Sequence, residues 1–320
     1  MTRSNSTPTA MASPAPSRLR EQLGAIGVWS GALNLLPAPA AREAVAEIER
    51  LGYGGLWFPE PVAGKEALTH AALLLAWTER ITVAAAIANI WARDAIAMAN
   101  AARALTDAYP ERFLLGLGAS NEVSVPARGH DFARPLSRMR SYLDELDDAP
   151  YLAPEPASPV RRFLAALGPK MLALAAERSV GAHPYFVPVE HTGFARDVLG
   201  PEPLLAVAQP FVLMDDVAPE RAAVRRHTDN HMSFYLAREP YRRHLRRFGW
   251  TDADFEDAGS DALHDAIVVW GDVEQVAARV RAHLDAGADH VCVQPVGADA
   301  SDPQLAGLRR LAPVLMDVTG

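Results

Sequence analysis

Cysteine is the scarcest residue: the chain of 320 residues contains one, Cys292. A disulfide bond within the chain is therefore impossible, which is typical of proteins of a reducing compartment, and we expect a cytoplasmic location. Cys292 lies in an apolar, strand-like run, where a cysteine usually serves as a small buried hydrophobic side chain.

Long apolar runs are also missing. The longest, near Ile81–Ile90, falls well short of the roughly 20 apolar residues that cross a bilayer, so we expect no membrane partner. The Met1–Ser17 stretch is rich in Ser, Thr, Pro and Ala and lacks the apolar segment of a secretory signal. This composition is typical of disorder. We therefore divide the chain into a disordered tail, residues 1–20, and one domain, residues 21–320.

Positive charge is outweighed by negative charge, with a formal net charge of −8 and a pI of about 5.7. This balance argues against a general binder of nucleic acids, although a local basic loop can still hold a small anion. Hydrophobic residues make up 49% of the chain, which is enough for a large core. The partner we expect is a small-molecule substrate, and a homodimer is the assembly we consider.

The sequence motifs of several enzyme classes are absent. No two His or Cys residues stand at a metal-ligand spacing beside a carboxylate, so we expect no metal site. The chain also has no Gly-x-Ser-x-Gly elbow, no Walker loop and no Rossmann glycine fingerprint. These absences argue against a zinc enzyme, a serine hydrolase of the elbow type, a P-loop NTPase and a Rossmann dehydrogenase.

What the chain does contain is an alternation of apolar strands and amphipathic helices, which indicates a parallel sheet covered on both faces. Eight strands are predicted, at Leu23–Ser30, Gly54–Phe58, Ile81–Ile87, Arg112–Gly118, Arg162–Leu167, Ala182–Val187, Leu204–Leu213 and His290–Pro295. Helices are predicted at residues 41–51, 65–78, 94–108, 135–146, 171–178 and 272–286. The strand count and the absence of a linker favour an α/β fold of the (β/α)8 TIM barrel type over a doubly wound sheet.

Two stretches interrupt the alternation. Asp148–Arg161 is a Pro- and Ala-rich loop, and Thr228–Asp265 is a longer insertion segment. Four arginines of this insertion cluster on one predicted helix, and we interpret them as a solvated face. They are Arg242, Arg243, Arg246 and Arg247.

In such a barrel, functional residues lie on the loops that follow the strands. After the fifth strand, Gly168 and Pro169 open a helix whose free N–H groups, together with Lys170, can bind an anion. A Gly-Pro pair at a helix start can also be a simple helix signal. Glu60 follows the second strand, and His183 lies after or within the sixth. Each of these side chains can move a proton. Alternatively, Glu60 is a solvated acid and His183 is a histidine packed in the core.

The order and spacing of six stretches resemble the luciferase-like monooxygenase family, most closely its coenzyme F420-dependent branch. The most specific stretch is Glu111–Gly118, with the sequence ERFLLGLG. The others are Leu51–Glu60, Arg93–Asp94, Ala165–Met171, Gly181–Tyr185 and Ala286–Val291. The resemblance runs from about Leu23 to the C-terminus.

This resemblance implies a luciferase-like barrel with an insertion segment and a flavin-type cofactor in its mouth, F420 more than FMN. It implies a bulge after the third strand, often with a non-proline cis peptide, that packs against the cofactor ring. Glu60 would lie near the reactive edge of the ring. The implied cofactor-binding residues are Ala86, Ile87 and Asn89 at the bulge, Gly118, Ala119 and Ser120 at the ring or ribityl chain, and Gly168, Pro169, Lys170 and Met171 at the phosphate.

Asn121 departs from the family pattern, because relatives commonly have a His or Glu there. An amide cannot exchange a proton near neutral pH. The catalytic candidates are therefore Glu60 as the acid–base residue, His183 as its alternative and Asn121 as a hydrogen-bonding group. The function we expect is an F420-dependent oxidoreductase that transfers a hydride to or from a small organic substrate. The alternatives are an FMN-dependent monooxygenase that uses O2 and a non-catalytic protein that binds a flavin or deazaflavin.

Overall fold

A computed structural model describes residues 16–214 and 220–317 of the chain. Eight parallel strands form a closed barrel: β1 Ile26–Trp29, β2 Gly55–Phe58, β3 Thr82–Ala85, β4 Phe113–Gly118, β5 Arg162–Leu164, β6 Gly181–Ala182, β7 Leu204–Leu213 and β8 His290–Pro295. The barrel closes because β8 pairs with β7 on one side and with β1 on the other. The (β/α)8 prediction is confirmed, and the doubly wound alternative is wrong.

Two short strands extend the barrel sheet. Ala88–Asn89 pairs with the end of β4, and Val269–Gly271 pairs with the end of β7. Neither was predicted as a strand from the sequence. They are two and three residues long, so each carries too little apolar pattern to be recognised.

Helices surround the barrel, and their bounds are α1 Pro16–Leu23, α2 Ala38–Arg50, α3 Ala67–Ala76, α4 Ala95–Ala108, α5 Pro135–Asp147, α6 Pro169–Arg178, α7 Val189–Leu199, α8 Arg221–Leu236, α9 Glu239–Arg246, α10 Asp261–Ile267, α11 Val273–Asp285 and α12 Leu305–Asp317. Capping side chains fix the N-terminal ends of several helices. Asp94 accepts a hydrogen bond from the Ala97 amide at 2.8 Å, and Asp272 and Gln275 form a capping box. Helices α8 to α10 form the insertion, which therefore spans Arg221–Ile267 rather than the predicted Thr228–Asp265 and lies between β7 and α11. No helix in the described ranges is long and apolar enough to cross a membrane.

The core has an outer and an inner part. The outer part lies between strands and helices and includes Leu56 and Val83, whereas the inner part fills the barrel and includes Trp57 and Leu114. This division follows from the period of two along each strand, which sends alternate side chains to opposite faces. Cys292 is fully buried in the inner part, as expected, and burial raises the pKa of its thiol.

Helix α1 covers the N-terminal end of the barrel. Leu19 and Leu23, four residues apart, are 2% and 1% exposed and pack into the inner core. The Gln22 side chain donates to Thr82 Oγ1 at 3.1 Å and to the Glu111 carbonyl at 2.6 Å, where β3 and β4 begin. The helix is therefore an integral part of the fold.

The position of α1 corrects two sequence predictions. The tail was expected to reach residue 20, but Pro16–Leu23 is helical because Leu19 and Leu23 close the barrel. The first strand was expected to begin at Leu23 and begins instead at Ile26. Residues 1–15 of the predicted tail lie outside the described residues.

Two other predicted strands are shorter in the structure. The fifth ends at Leu164 rather than Leu167, and the sixth ends at Ala182 rather than Val187. Prolines at 184 and 188 and a left-handed φ of 59° at Phe186 prevent the sixth strand from continuing. The residues released from these strands form loops at the C-terminal end of the barrel.

We expect Leu23→Ala to lower the free energy of unfolding by about 2–5 kcal/mol, because it leaves a cavity in the inner core. Urea denaturation followed by circular dichroism measures this change. Leu152→Ala is the matched control, since Leu152 is 103% exposed and should change stability by less than about 0.5 kcal/mol. Equal stability of the two variants would show that α1 does not contribute to the core.

Candidate active site

A cavity of about 730 Å³ lies at the C-terminal ends of the strands. It brings together most of the residues that the sequence singled out: Ile87, Gly118, Ala119, Ser120, Asn121, Gly168, Pro169, Lys170, Met171 and His183. Its other walls include Glu122, Phe132, Leu136, Leu167 and Tyr185, and the insertion residues Glu239, Pro240, Tyr241, Arg243, His244 and Arg247. Three candidates, Glu60, Ala86 and Asn89, are not among the lining residues.

One wall of the cavity is built by the segment that follows β3. The Ala86–Ile87 peptide bond is cis, a feature that the resemblance implied for this loop. Ile87 packs directly over Gly118, where a Cβ atom would overlap the Ile87 side chain, and a Cβ at Gly116 would collide with the Ala85 carbonyl oxygen. Glycine at these two positions of β4 therefore lets the bulge lie flat against the strand. The result is an apolar surface suited to a planar ring.

Another part of the cavity is positively charged. Gly168 caps α6 without a side chain, Pro169 lies in the first turn, and Lys170 follows. The guanidinium of Arg247 lies beside Gly168, with Nη1 2.9 Å from the place where a Cβ atom would be. Whereas Arg246 pairs with Asp252, neither Lys170 nor Arg247 forms an ion pair with a carboxylate of residues 16–214 or 220–317. The free N–H groups of a helix start and two unpaired cations form a site that favours an anion.

His183 lies on the inner side of the cavity and is 2% exposed. Its Nδ1 is 2.9 Å from the Ala206 carbonyl oxygen, and its ring stacks on Trp57 with 4.6 Å between centroids. Burial lowers the pKa of His183 to about 4, so the ring is neutral near pH 7. Nδ1 must then carry the proton, and Nε2, which has no partner in the described parts of the chain, is a free hydrogen-bond acceptor.

Asn121 lines the cavity, but its side-chain oxygen is hydrogen-bonded to the backbone of its own loop. Its Oδ1 accepts hydrogen bonds from the amides of Val123 at 3.1 Å and Ser124 at 3.0 Å. This turn is a common role of asparagine and needs no ligand. The side-chain NH₂ is the group left to meet a bound molecule, and it can donate a hydrogen bond but cannot supply a proton.

Glu60 lies outside the cavity, with a side chain that is 3% exposed. Its carboxylate accepts hydrogen bonds from the amides of Asn89 at 2.7 Å and Ala67 at 3.2 Å, and it forms an ion pair with Arg93. Arg93 also pairs with Glu66 at 2.6 Å. The acid therefore ties the start of α3 to the segment that follows the Ala86–Ile87 bulge. Ala86 and Asn89 are buried, and neither of them lines the cavity.

The insertion contributes side chains to the cavity that the sequence analysis did not select. The interpretation of its arginines as a solvated face holds for Arg246, which pairs with Glu239 and Asp252. Arg247 is exposed as well, but it also lines the cavity, which the sequence analysis did not predict. No pattern along the helix distinguishes the two, because neither Arg246 nor Arg247 has a carboxylate three or four residues away on either side.

We expect Glu60→Gln to lower the free energy of unfolding by about 2–4 kcal/mol, because Arg93 loses its buried partner. Thermal and urea unfolding measure the loss. The matched control is Glu66→Gln, which removes the other partner of Arg93 at a side chain that is 45% exposed, and which should cost less than about 1 kcal/mol. A Glu60→Gln protein of unchanged stability and lost activity would return Glu60 to the role of an acid–base residue.

Comparison with known proteins places the chain in a family. A family model described as luciferase-like monooxygenase matches residues 15–290. A 5,10-methylenetetrahydromethanopterin reductase of Methanolobus tindarius is 23% identical over 294 residues, which covers 78% of this chain and 88% of that protein.

Two solved structures share the fold. The coenzyme F420-dependent tetrahydromethanopterin reductase of Methanopyrus kandleri has a TM-score of 0.70 at 13% identity, covering 93% of this chain and 100% of that one. The oxygenating constituent of 3,6-diketocamphane monooxygenase of Pseudomonas putida, in complex with FMN, has a TM-score of 0.67 at 16% identity, covering 90% and 98%. Because the family model spans most of its length, the chain is an enzyme of the luciferase-like monooxygenase family.

Proposed function

We propose that this enzyme is an F420-dependent oxidoreductase that acts on a small organic substrate. The observation that carries the proposal is the cavity itself, which combines an apolar wall at Ile87 and Gly118, a cationic site at Gly168–Lys170 and a buried acceptor at His183. These three features match a ligand with a planar ring and an anionic group, beside which a small second molecule can bind.

The residues present fit a flavin-type cofactor. A Cβ atom at Gly118 would collide with Ile87, and one at Gly168 would crowd the Arg247 guanidinium, so the two glycines allow these side chains to line the cavity. Lys170 offers a cation beside the N-terminus of α6. In the proposed arrangement Ile87, Gly118, Ala119 and Ser120 hold the ring and its chain, and Gly168 to Met171 hold the phosphate. When bound, the cofactor supplies a ring that exchanges two electrons with the substrate.

We favour F420 over FMN because of the sequence resemblance to the F420-dependent branch. Two similar proteins support this choice: the Methanolobus tindarius relative is a methylenetetrahydromethanopterin reductase, and the Methanopyrus kandleri structure is named as coenzyme F420-dependent. The Pseudomonas putida structure contains FMN, so an FMN-dependent monooxygenase is the competing function.

We further propose that His183, rather than Glu60, is the side chain that meets the substrate. His183 lines the cavity, and its buried Nε2 has no hydrogen-bond partner among the described residues, whereas the Glu60 carboxylate is occupied by three donors outside the cavity. A neutral imidazole with its proton on Nδ1 can accept a hydrogen bond or a proton at Nε2 but has none to give there. This arrangement favours a substrate that presents a hydroxyl or N–H group.

Fluorescence titration of the purified protein with F420 and with FMN tests the cofactor assignment. We expect F420 to bind at least about tenfold more tightly, a difference of about 1.4 kcal/mol. A visible spectrum of the protein as purified provides an independent readout. Micromolar binding of FMN without binding of F420 would support the monooxygenase, and cofactor binding without turnover on a broad substrate panel would support a non-catalytic carrier.

We expect His183→Asn to lower kcat/KM by about 10²-fold for the alcohols and amines that a substrate panel identifies, while the cofactor Kd changes less than about twofold. The matched control is His227→Asn, on α8 and away from the cavity lining, which should retain full activity. Melting temperatures of both variants separate a folding defect from a catalytic one. Undiminished turnover by His183→Asn would mean that solvent exchanges the proton.

A further inference from the structure

We propose that the insertion segment completes a binding site for a phosphate-class anion: His244 and Arg247 line the same cavity as Lys170 and the N-terminus of α6, and the four groups together hold the anion. The inference rests on the proposed function only for the source of the anion, which is either the cofactor or a phosphorylated substrate. The site joins two parts of the chain that are far apart in sequence.

The first argument concerns His244, which is 2% exposed and lines the cavity. The backbone of Leu167 lies close to the ring, but neither ring nitrogen makes a hydrogen bond of good geometry to a described residue. A buried polar group without a well-formed partner is costly, so an imidazole that lines a cavity and has at least one unpaired nitrogen is suited to a ligand. Burial lowers the pKa of His244, and the neutral ring still has one N–H to donate to an anion oxygen.

The surroundings of His244 hold it in place. Its ring packs edge-on against His191, with 4.4 Å between ring centroids, and is tilted against Phe248, with 5.2 Å between centroids. His191 Nε2 in turn lies 3.1 Å from the Leu167 carbonyl oxygen, directly before Gly168. The Leu167–Gly168 segment of the anion site and the helix that carries His244 therefore both contact His191.

The second argument concerns Arg247, whose guanidinium occupies the space that a side chain at 168 would need. Glycine at that position thus allows an arginine from the insertion to approach the helix start. Arginine presents several N–H groups in a planar fork that matches phosphate oxygens. Because no described carboxylate pairs with Arg247 or Lys170, both charges are available to a ligand.

The acidic groups of the cavity do not oppose this charge. Glu122 is turned toward the insertion and accepts a hydrogen bond from the Glu239 amide at 2.7 Å. Glu239 pairs with Arg246 at 3.1 Å and with Arg243 at 3.7 Å. With both carboxylates engaged in this way, the region around Gly168 keeps a local excess of positive charge in a protein whose net charge is negative.

The experiment compares ligands with and without a phosphate. F420, its phosphate-free deazaflavin riboside, and inorganic phosphate as a competitor are titrated into wild-type protein and the variants Arg247→Ala, Arg247→Lys, His244→Gln and Lys170→Ala. The matched control is Arg246→Ala, in the same helix but paired outside the cavity. Hydrogen exchange of residues 239–247 with and without ligand gives a second readout, and melting temperatures verify that each variant is folded.

If the anion belongs to the cofactor, we expect Arg247→Ala to weaken F420 binding at least about tenfold and His244→Gln about threefold or more. Arg247→Lys should weaken F420 binding to an intermediate degree. Arg247→Ala should leave the affinity for the phosphate-free riboside unchanged, and the Arg246→Ala control should bind F420 as tightly as the wild-type protein. Inorganic phosphate should compete with F420, and F420 should protect the amides of residues 239–247. If the anion belongs to the substrate, inorganic phosphate should bind together with F420 and should still be weakened by Arg247→Ala.

Either pattern supports the site and identifies whether the anion belongs to the cofactor or to the substrate. If Lys170→Ala weakens binding of F420 or phosphate while Arg247→Ala and His244→Gln do not, the insertion takes no part and the inference is overturned, although the proposed cofactor site stands. Equal weakening of F420 and its phosphate-free riboside by Arg247→Ala would also overturn it. Failure of the wild-type protein to bind any deazaflavin would contradict the proposed function instead, and the phosphate titration would still decide the anion site.

Discussion

Strand β8 is hydrogen-bonded to β7 on one side and to β1 on the other, and this double pairing closes the sheet. Because every pairing in the barrel is parallel, all eight strands end at the same rim. Residues that are far apart in sequence, such as Ile87, Gly118 and Lys170, therefore line one cavity. Closure also leaves the opposite end to be covered, which α1 does with two leucines. The location of the site thus follows from the pairing of the strands.

Much of this arrangement could be predicted, because the apolar pattern of each strand and each helix can be recognised within its own segment of the sequence. The strand ends were harder to predict, since they depend on partners elsewhere. Leu23 belongs to an apolar run that continues into β1, yet it lies in α1 because Leu19, four residues earlier, packs into the same inner core. Residues 183–187 have the apolar pattern of a strand, yet they leave the barrel wall, and this places His183 and Tyr185 at the cavity.

The same limit applies to the choice between Glu60 and His183. A carboxylate at the end of a strand has the right chemistry for proton transfer, and the resemblance to the luciferase-like family favoured it. Which partners it finds depends on the loops around it, and here the Asn89 amide and Arg93 bind it from outside the cavity. For His183, packing explains the stacking on Trp57 and the bond at Nδ1, but it leaves Nε2 without a partner. An unsatisfied atom is a better guide to function than residue type.

The distribution of charge in the cavity follows from the cost of desolvation. Lys170 and Arg247 are exposed, so water solvates them until an anion arrives. His183 and His244 are buried, and burial keeps both rings neutral near pH 7. A cavity with full charges at its solvent-exposed part and neutral polar groups within can bind a ligand that is anionic at one end and uncharged at the other. Such a ligand keeps its charge near water while its uncharged part displaces water from the barrel mouth, so neither partner has to bury an unpaired charge.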